Sequence, residues 1–312
     1  MTEEHKNAIN ANIQSFNADV ANEYDFREST QLLNLVFAKI LLAYDVRRKE
    51  RKTEEESAQV IEKELGSESS SSIESIVPNP TVYSKEYPNT VFKPGIKMLD
   101  FACGTGLFAQ RLAPYFQSQE KSTEIEGIDI NPHFLKRFEE RASSNTVPNV
   151  SLHAYLYDIL DPNISEKLSK LENKYDVITC TISYHHIDNY KEVTKKLVTF
   201  LKPGGWIFIV DFYNEDVEKP TSNPQSAVRH MGGLKVSTMN ETLRSYCGLE
   251  NVSSARETRV RIWQQKSFIE NHLPRSTIEK LQEGQLKTKK GKVGEDLYLV
   301  DVSLILAVGQ KP

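Results

Sequence analysis

The sequence predicts an α/β protein built on a doubly wound, largely parallel sheet, and three observations carry that prediction. Ile96–Leu99 reads as a short buried strand that ends at Asp100, turns through Gly104 and Gly106, and enters a helix at Leu107. Further apolar runs follow at Glu124–Asn131, Val150–Tyr157 and Val177–Thr181, the first two closing on or just before Asp129 and Asp158. A tight Lys202-Pro-Gly-Gly205 turn then launches a strong strand that ends at Asp211.

Composition excludes several classes. The 312 residues are 38% hydrophobic and 26% charged, as in a soluble globular protein. A formal net charge of −4 gives no field for a polyanion, so no nucleic-acid partner is expected. No apolar run approaches membrane-spanning length, so no membrane partner is expected either. Cys103, Cys180 and Cys247 are scattered without CxxC or His-rich metal spacing. That pattern calls for no metal and no disulfide framework, and suggests a reducing compartment. The polar N-terminus, with Glu3 and Glu4, lacks a signal or transit pattern, which leaves the cytoplasm as the expected location and the nucleus as an alternative.

In chain order, residues before about Phe16 read as a loose terminus. Thr30–Tyr44 carries Leu32, Leu33, Leu35, Val36, Phe37, Ile40 and Leu41 at helical spacing and predicts an amphipathic helix. Arg47-Arg-Lys-Glu-Arg-Lys52 and Glu54–Glu56 read as a solvated charged face. Leu65–Ser72 is too polar to offset chain entropy by burial, and predicts a flexible insert. Pro78, Pro80, Pro88 and Pro94 keep the chain extended up to the first core strand. The organisation is therefore a helical lid over 1–46, a charged and Ser-rich insert over 47–92 and a catalytic domain over 93–312. Met239–Cys247 reads as a helix capped by Gly248. Leu249–Trp263 and Leu297–Val308 read as late strands.

The glycine turn admits two ligands. Gly104-Thr-Gly106-Leu-Phe-Ala109, with Asp129 about 25 residues on, satisfies a dinucleotide fingerprint. A carboxylate at Asp100 would repel a pyrophosphate there but suits a cation. Asp100-x-Ala102-x-Gly104-x-Gly106 resembles the first motif of the class I S-adenosylmethionine (SAM) dependent methyltransferases. Ala21-x-x-Tyr24-Asp25, Tyr157-Asp158, Tyr184-His185-His186 and Leu201-Lys-Pro-Gly-Gly205 resemble later motifs of its small-molecule members, so the likeness runs from Phe16 to Lys311 apart from the insert. It implies a Rossmann-like sheet of seven strands in the order 3-2-1-4-5-7-6, closed by a C-terminal antiparallel hairpin.

The resemblance also implies roles. The turn of Ala102, Gly104 and Gly106 passes under the amino-acid end of SAM, with Asp100 nearby. Asp129 takes the ribose hydroxyls beside Ile130, and Asp158 takes the adenine amine beside Ile159. Thr181 and Ile182 line the methyl side, and Tyr24 folds over the cofactor. His185 or His186 removes a proton from the acceptor as methyl arrives. Tyr184, Tyr213, His230 and Trp263 border the acceptor. The products are a methylated small molecule and S-adenosylhomocysteine, and no metal is required. The absence of an Asn/Asp-Pro-Pro-Tyr segment disfavours N-methylation of planar amino groups and leaves an oxygen or carbon acceptor. Rival readings are a protein methyltransferase on the same core, a non-catalytic SAM-binding protein and, more distantly, a nicotinamide-linked oxidoreductase. No residue pattern specifies the oligomeric state.

Overall fold

The structure is a computed structural model that describes residues 3–48, 64–66, 77–213, 227–230, 232–292 and 294–312. The basic run from residue 49 onward, Glu54–Glu56, most of the expected insert, and Pro220 and Pro224 lie outside the described residues.

Seven strands form the central sheet: β1 (Lys97–Phe101), β2 (Thr123–Asp129), β3 (Val150–Leu156), β4 (Tyr175–Thr181), β5 (Leu201–Phe212), β6 (Glu250–Gln265) and β7 (Asp296–Gln310). Their spatial order is 3-2-1-4-5-7-6, as the sequence predicts. β1 to β5 pair in parallel. β7 alone among the seven runs the other way, pairing antiparallel with β5 and with β6. Two short strands extend this plan. Thr288–Lys290 pairs with β7, and Glu64–Gly66, inside the expected insert, pairs with Arg259–Arg261 of β6.

The central strands are apolar on both sides because helices cover both faces. Along β5, Phe208, Val210 and Phe212 join one core while Ile207 and Ile209 join the other. The first core is covered by α3 (Glu28–Leu42), α4 (Leu107–Leu112) and α5 (Pro132–Ser144). The second is covered by α6 (Tyr190–Phe200) and α7 (Val236–Asn240), which widens into a π-helical stretch over Glu241–Tyr246. The Gly248 N–H bonds the Arg244 carbonyl at 3.1 Å, which makes it the expected cap. The predicted Thr30–Tyr44 helix is α3, shifted by two residues toward the N-terminus.

The N-terminus departs from expectation. Glu3–Ser15 is a helix, α1, followed by α2 (Ala18–Tyr24), whose N-cap Asn17 accepts from the Val20 N–H at 3.1 Å. The buried positions of α1 are His5, Ala8 and Ala11. A face of small and polar groups carries little hydrophobic periodicity, so this helix is set by what it packs on. Among the described residues no helix is long and apolar enough to cross a membrane.

Candidate active site

The carboxyl end of the sheet opens into a cavity of about 1180 Å³. That exceeds the roughly 300–1,000 Å³ of an ordinary small-molecule pocket, so it has room for two ligands.

Its floor is the turn after β1. Ala102, Gly104 and Gly106 all have positive φ, at 55°, 53° and 77°. The Gly104 N–H donates to Asp129 Oδ2 at 2.8 Å, and the Asn131 N–H donates to Asp129 Oδ1 at 2.8 Å. Asp129 thus ties the β1 turn to the β2 turn through backbone donors. Burial pushes its pKa up, while those bonds act in the opposite direction. Asn131 caps α5, accepting from the N–H groups of His133 and Phe134, so Asp129 is spared that task. The two glycines differ. A Cβ at Gly104 would meet nothing nearer than 3.8 Å, whereas one at Gly106 would stand 2.6 Å from the Phe138 ring. Gly104 faces the cavity and Gly106 serves helix packing.

Asp100 lies just beneath the turn, 1% exposed and off the cavity wall. One oxygen accepts from Thr179 at 3.1 Å, and Oδ2 has no partner among the described residues. Burial pushes its pKa up to about 7. An orphaned carboxylate oxygen under a glycine cradle fits a ligand with an ammonium group. A pyrophosphate would leave the oxygen unsatisfied and add repulsion. Ile182, past the end of β4, holds φ at 49°, an outlier for a β-branched residue, and lines the same cavity. Such strain concentrates at functional sites.

Of the residues the sequence singles out, Tyr24, Ala102, Gly104, Asp129, Ile130, Asp158, Ile159, Thr181, His185, His186 and Trp263 line the cavity. Asp100, Gly106, Tyr184, Tyr213 and His230 do not. Tyr184 lies on a single 3-10 turn that sends His185 and His186 inward and Tyr184 into the second core, with its hydroxyl on Thr194 at 3.0 Å. Strand alternation puts Phe212 on the wall, while Tyr213 lies under the Arg256 guanidinium at 5.3 Å. The Nε2–H of His230 donates to the Ile187 carbonyl at 3.0 Å, and Ala227 and Val228 take its place at the wall.

The N-terminal helices close the cavity. Asp25, after α2, accepts from the Thr105 hydroxyl at 2.6 Å and pairs with Arg141. Phe16 packs on Phe134 at 5.5 Å and His186 at 5.6 Å, and its carbonyl accepts from Asn131 at 2.8 Å. Asp158 accepts from His5 Nε2 at 3.0 Å and from the Leu160 N–H at 3.0 Å. Burial alone would raise the Asp158 pKa, but these donors hold it below the usual carboxylate value. Both Asp158 oxygens are therefore engaged, so the adenine amine that the resemblance assigns to it would have to share them with His5 and Leu160.

The opposite end is histidine-rich. His185, 1% exposed, sets Nδ1 against Asp211 Oδ1 at 2.8 Å. Asp211 also accepts from the backbone N–H groups of His185 and Phe212, so the carboxylate accepts throughout and the imidazole proton sits on Nδ1. Nε2 is left with a lone pair, buried and without a partner among the described residues. His186 Nδ1 donates to the Ala227 carbonyl at 2.8 Å. His272, on α8 (Lys266–His272), stacks on Phe268 at 4.5 Å and joins the cluster, its ring 5.6 Å from each of the other two. Burial first, and the neighbouring His185 next, push the His186 pKa well down and that of His272 to about 3. His272 has no motif around it, and its position follows from the length of β6.

Comparison with known proteins shows the family of the chain. Residues 92–283, more than half of the chain, match a family model described as a methyltransferase domain. An uncharacterised methyltransferase of Schizosaccharomyces pombe is 30% identical over 226 residues, covering 70% of this chain and 73% of that protein. A ubiquinone biosynthesis O-methyltransferase of Chromobacterium violaceum is 25% identical over 114 residues, covering 36% of this chain and 43% of that enzyme. The chain thus matches less than half the length of that relative. The crystal structure of Haemonchus contortus phosphoethanolamine N-methyltransferase 2 with S-adenosyl-L-methionine superposes at a TM-score of 0.42 with 15% identity, covering 70% of this chain and 49% of that one.

Proposed function

The chain belongs to the class I SAM-dependent methyltransferases, and from that premise we propose that it methylates an oxygen of a small organic acceptor. The observation that carries the acceptor is the His185–Asp211 pair, whose imidazole lines the cavity and keeps Nε2 without a partner among the described residues. The enclosing rings of Phe16, Phe134, Phe212 and Phe268 suit a compact, largely apolar or aromatic acceptor.

SAM brings a methyl group already activated by a positive sulfur. Asp129 and the Gly104 turn would hold its ribose and amino-acid end, and Asp100, buried beneath the turn, would add negative charge under its ammonium without touching it. Asp158 would border the adenine. Bound SAM would supply the methyl carbon and would leave as S-adenosylhomocysteine when its carbon–sulfur bond breaks. Nε2 of His185 would take the proton from the acceptor oxygen as the oxygen–carbon bond forms. The Asp211 carboxylate steadies the imidazolium formed in that step. Alignment and exclusion of water by the α1–α2 lid supply the rest.

The test is methyl transfer from radiolabelled SAM into a cell extract, with small molecules separated from protein. Label is expected in the small-molecule fraction, and label confined to protein would overturn the acceptor class. His185→Asn is expected to lower kcat by about 10²–10⁴-fold while leaving S-adenosylhomocysteine affinity unchanged. An unaltered kcat would remove His185 from the proton step.

A further inference from the structure

We infer that His185, His186 and His272 bind one divalent transition-metal ion of the zinc or cobalt class. One ring nitrogen from each lies within 4.8 Å of the others. In all three rings Nδ1 is committed to an oxygen acceptor: the Asp211 carboxylate at 2.8 Å, the Ala227 carbonyl at 2.8 Å and the Phe268 carbonyl at 3.1 Å. A carbonyl or carboxylate acceptor fixes the proton on Nδ1 and leaves the lone pair on Nε2. Protein acceptors behind each ring are what orients metal-binding histidines and makes them more basic ligands.

One nitrogen of each ring thus comes within 4.8 Å of the others, and with Nδ1 engaged the nitrogen free to meet a cation is Nε2. For His185 the nitrogen is fully buried and unpartnered among the described residues, a state that native interiors rarely leave uncompensated. A cation satisfies all three at once. An all-imidazole set without a carboxylate favours zinc, cobalt, nickel or ferrous iron over magnesium or calcium. Zinc–nitrogen bonds of about 2.0–2.1 Å in a tetrahedral set hold nitrogens roughly 3.4 Å apart, so the rings must draw in from a spacing of up to 4.8 Å when the ion binds. Three protein ligands leave an open position, the pattern of catalytic rather than structural zinc. All three residues line the cavity, so that position faces the acceptor.

The consequence for the reaction rests on the proposed function, but the site itself does not. An ion and a proton compete for Nε2 of His185. With the ion bound, the acceptor hydroxyl fills the open position and its proton passes to solvent water. The oxygen–carbon bond then forms as the carbon–sulfur bond breaks. Loading would replace a base by a Lewis acid at the same place.

The experiment uses the full chain, stripped with a chelator and titrated with Zn²⁺ and with Co²⁺. Calorimetry should give one ion per chain, and Co²⁺ should develop the visible absorption of a four- or five-coordinate nitrogen-bound ion. His272→Ala and the His186→Ala/His272→Ala pair should weaken binding by more than about 100-fold, and Asp211→Asn by about 10–100-fold. S-adenosylhomocysteine affinity serves as the control for folding. Absence of binding in the parent chain, or equal binding by the double variant, would overturn the inference. Neither readout involves turnover. Metal binding without methyl transfer would therefore defeat only the functional proposal, and transfer without metal binding would defeat only the site.

Discussion

Asp129 and His185 stand on one cavity, yet they are held in opposite ways. Asp129 is gripped by the N–H groups of Gly104 and Asn131, so the cofactor end is a pair of backbone turns with one carboxylate between them. His185 is gripped by Asp211 from another strand and faced by His272 from a distant helix. The acceptor end is thus made of side chains brought together by the sheet. The lesson is that a backbone-built site tolerates changes in its surroundings but not in its own few residues. A side-chain-built site can be retuned at single positions without loss of the fold, which suits an end that must choose a substrate.

The sharpest way to break this contrast is Asp129→Ala. Both turns lose their shared acceptor, and on the proposed function the ribose would lose its partner too. S-adenosylhomocysteine affinity is expected to fall by about 100-fold or more by calorimetry, about 2.8 kcal/mol at 1.4 kcal/mol per tenfold. A loss below fivefold would mean that the turn stands without its carboxylate. The second test separates fold from ligand within the same turn. Gly106→Ala drives a Cβ to 2.6 Å from the buried Phe138 ring at a φ of 77°, and should cost about 1–3 kcal/mol in urea unfolding. His272→Asn, at a part-buried ring whose Nδ1 partner is the Phe268 carbonyl and not a buried carboxylate, should move the urea midpoint less, and the two results together test the division of labour.

The smallest effect concerns the lid. The folded pKa of Asp158 lies below its ordinary value. Its contribution to stability is therefore complete above the unfolded carboxylate pKa of about 3.9, and is lost as pH falls through the lower folded value. His5→Ala removes one of the donors responsible, so the folded pKa should rise toward the unfolded value and the stability lost on acidification should shrink. Urea midpoints measured from pH 5 down to pH 3 check this, and coincident curves for variant and parent would show that His5 does not latch the lid.

How much of this was legible beforehand follows from the same contrast. The glycine turn, Asp129, Asp158 and the His185-His186 pair each sit in a short local motif, and the family resemblance those motifs carry singled them out as cavity residues. The same resemblance implied the strand order. His272 was not legible, since nothing near it in sequence indicates that α8 swings back onto the His185 turn. Tyr184 and Tyr213 were misplaced by one residue each, because a 3-10 turn and a strand's alternation decide which neighbour faces the ligand. Helix α1 escaped notice because alanines and a histidine, rather than large apolar groups, form its buried side.

The reversed strand β7 has a consequence for how the molecule comes into being. It lies between β5 and β6, opposing Asp211 with Ile305 and anchoring the strand that leads toward His272. Synthesis proceeds from the amino end, so the glycine turn is laid down long before this wedge arrives. A polypeptide halted ahead of Asp296 would carry His185, Asp211 and His272 but lack the strand that joins their two supports, so the last residues made are the ones that hold those side chains together.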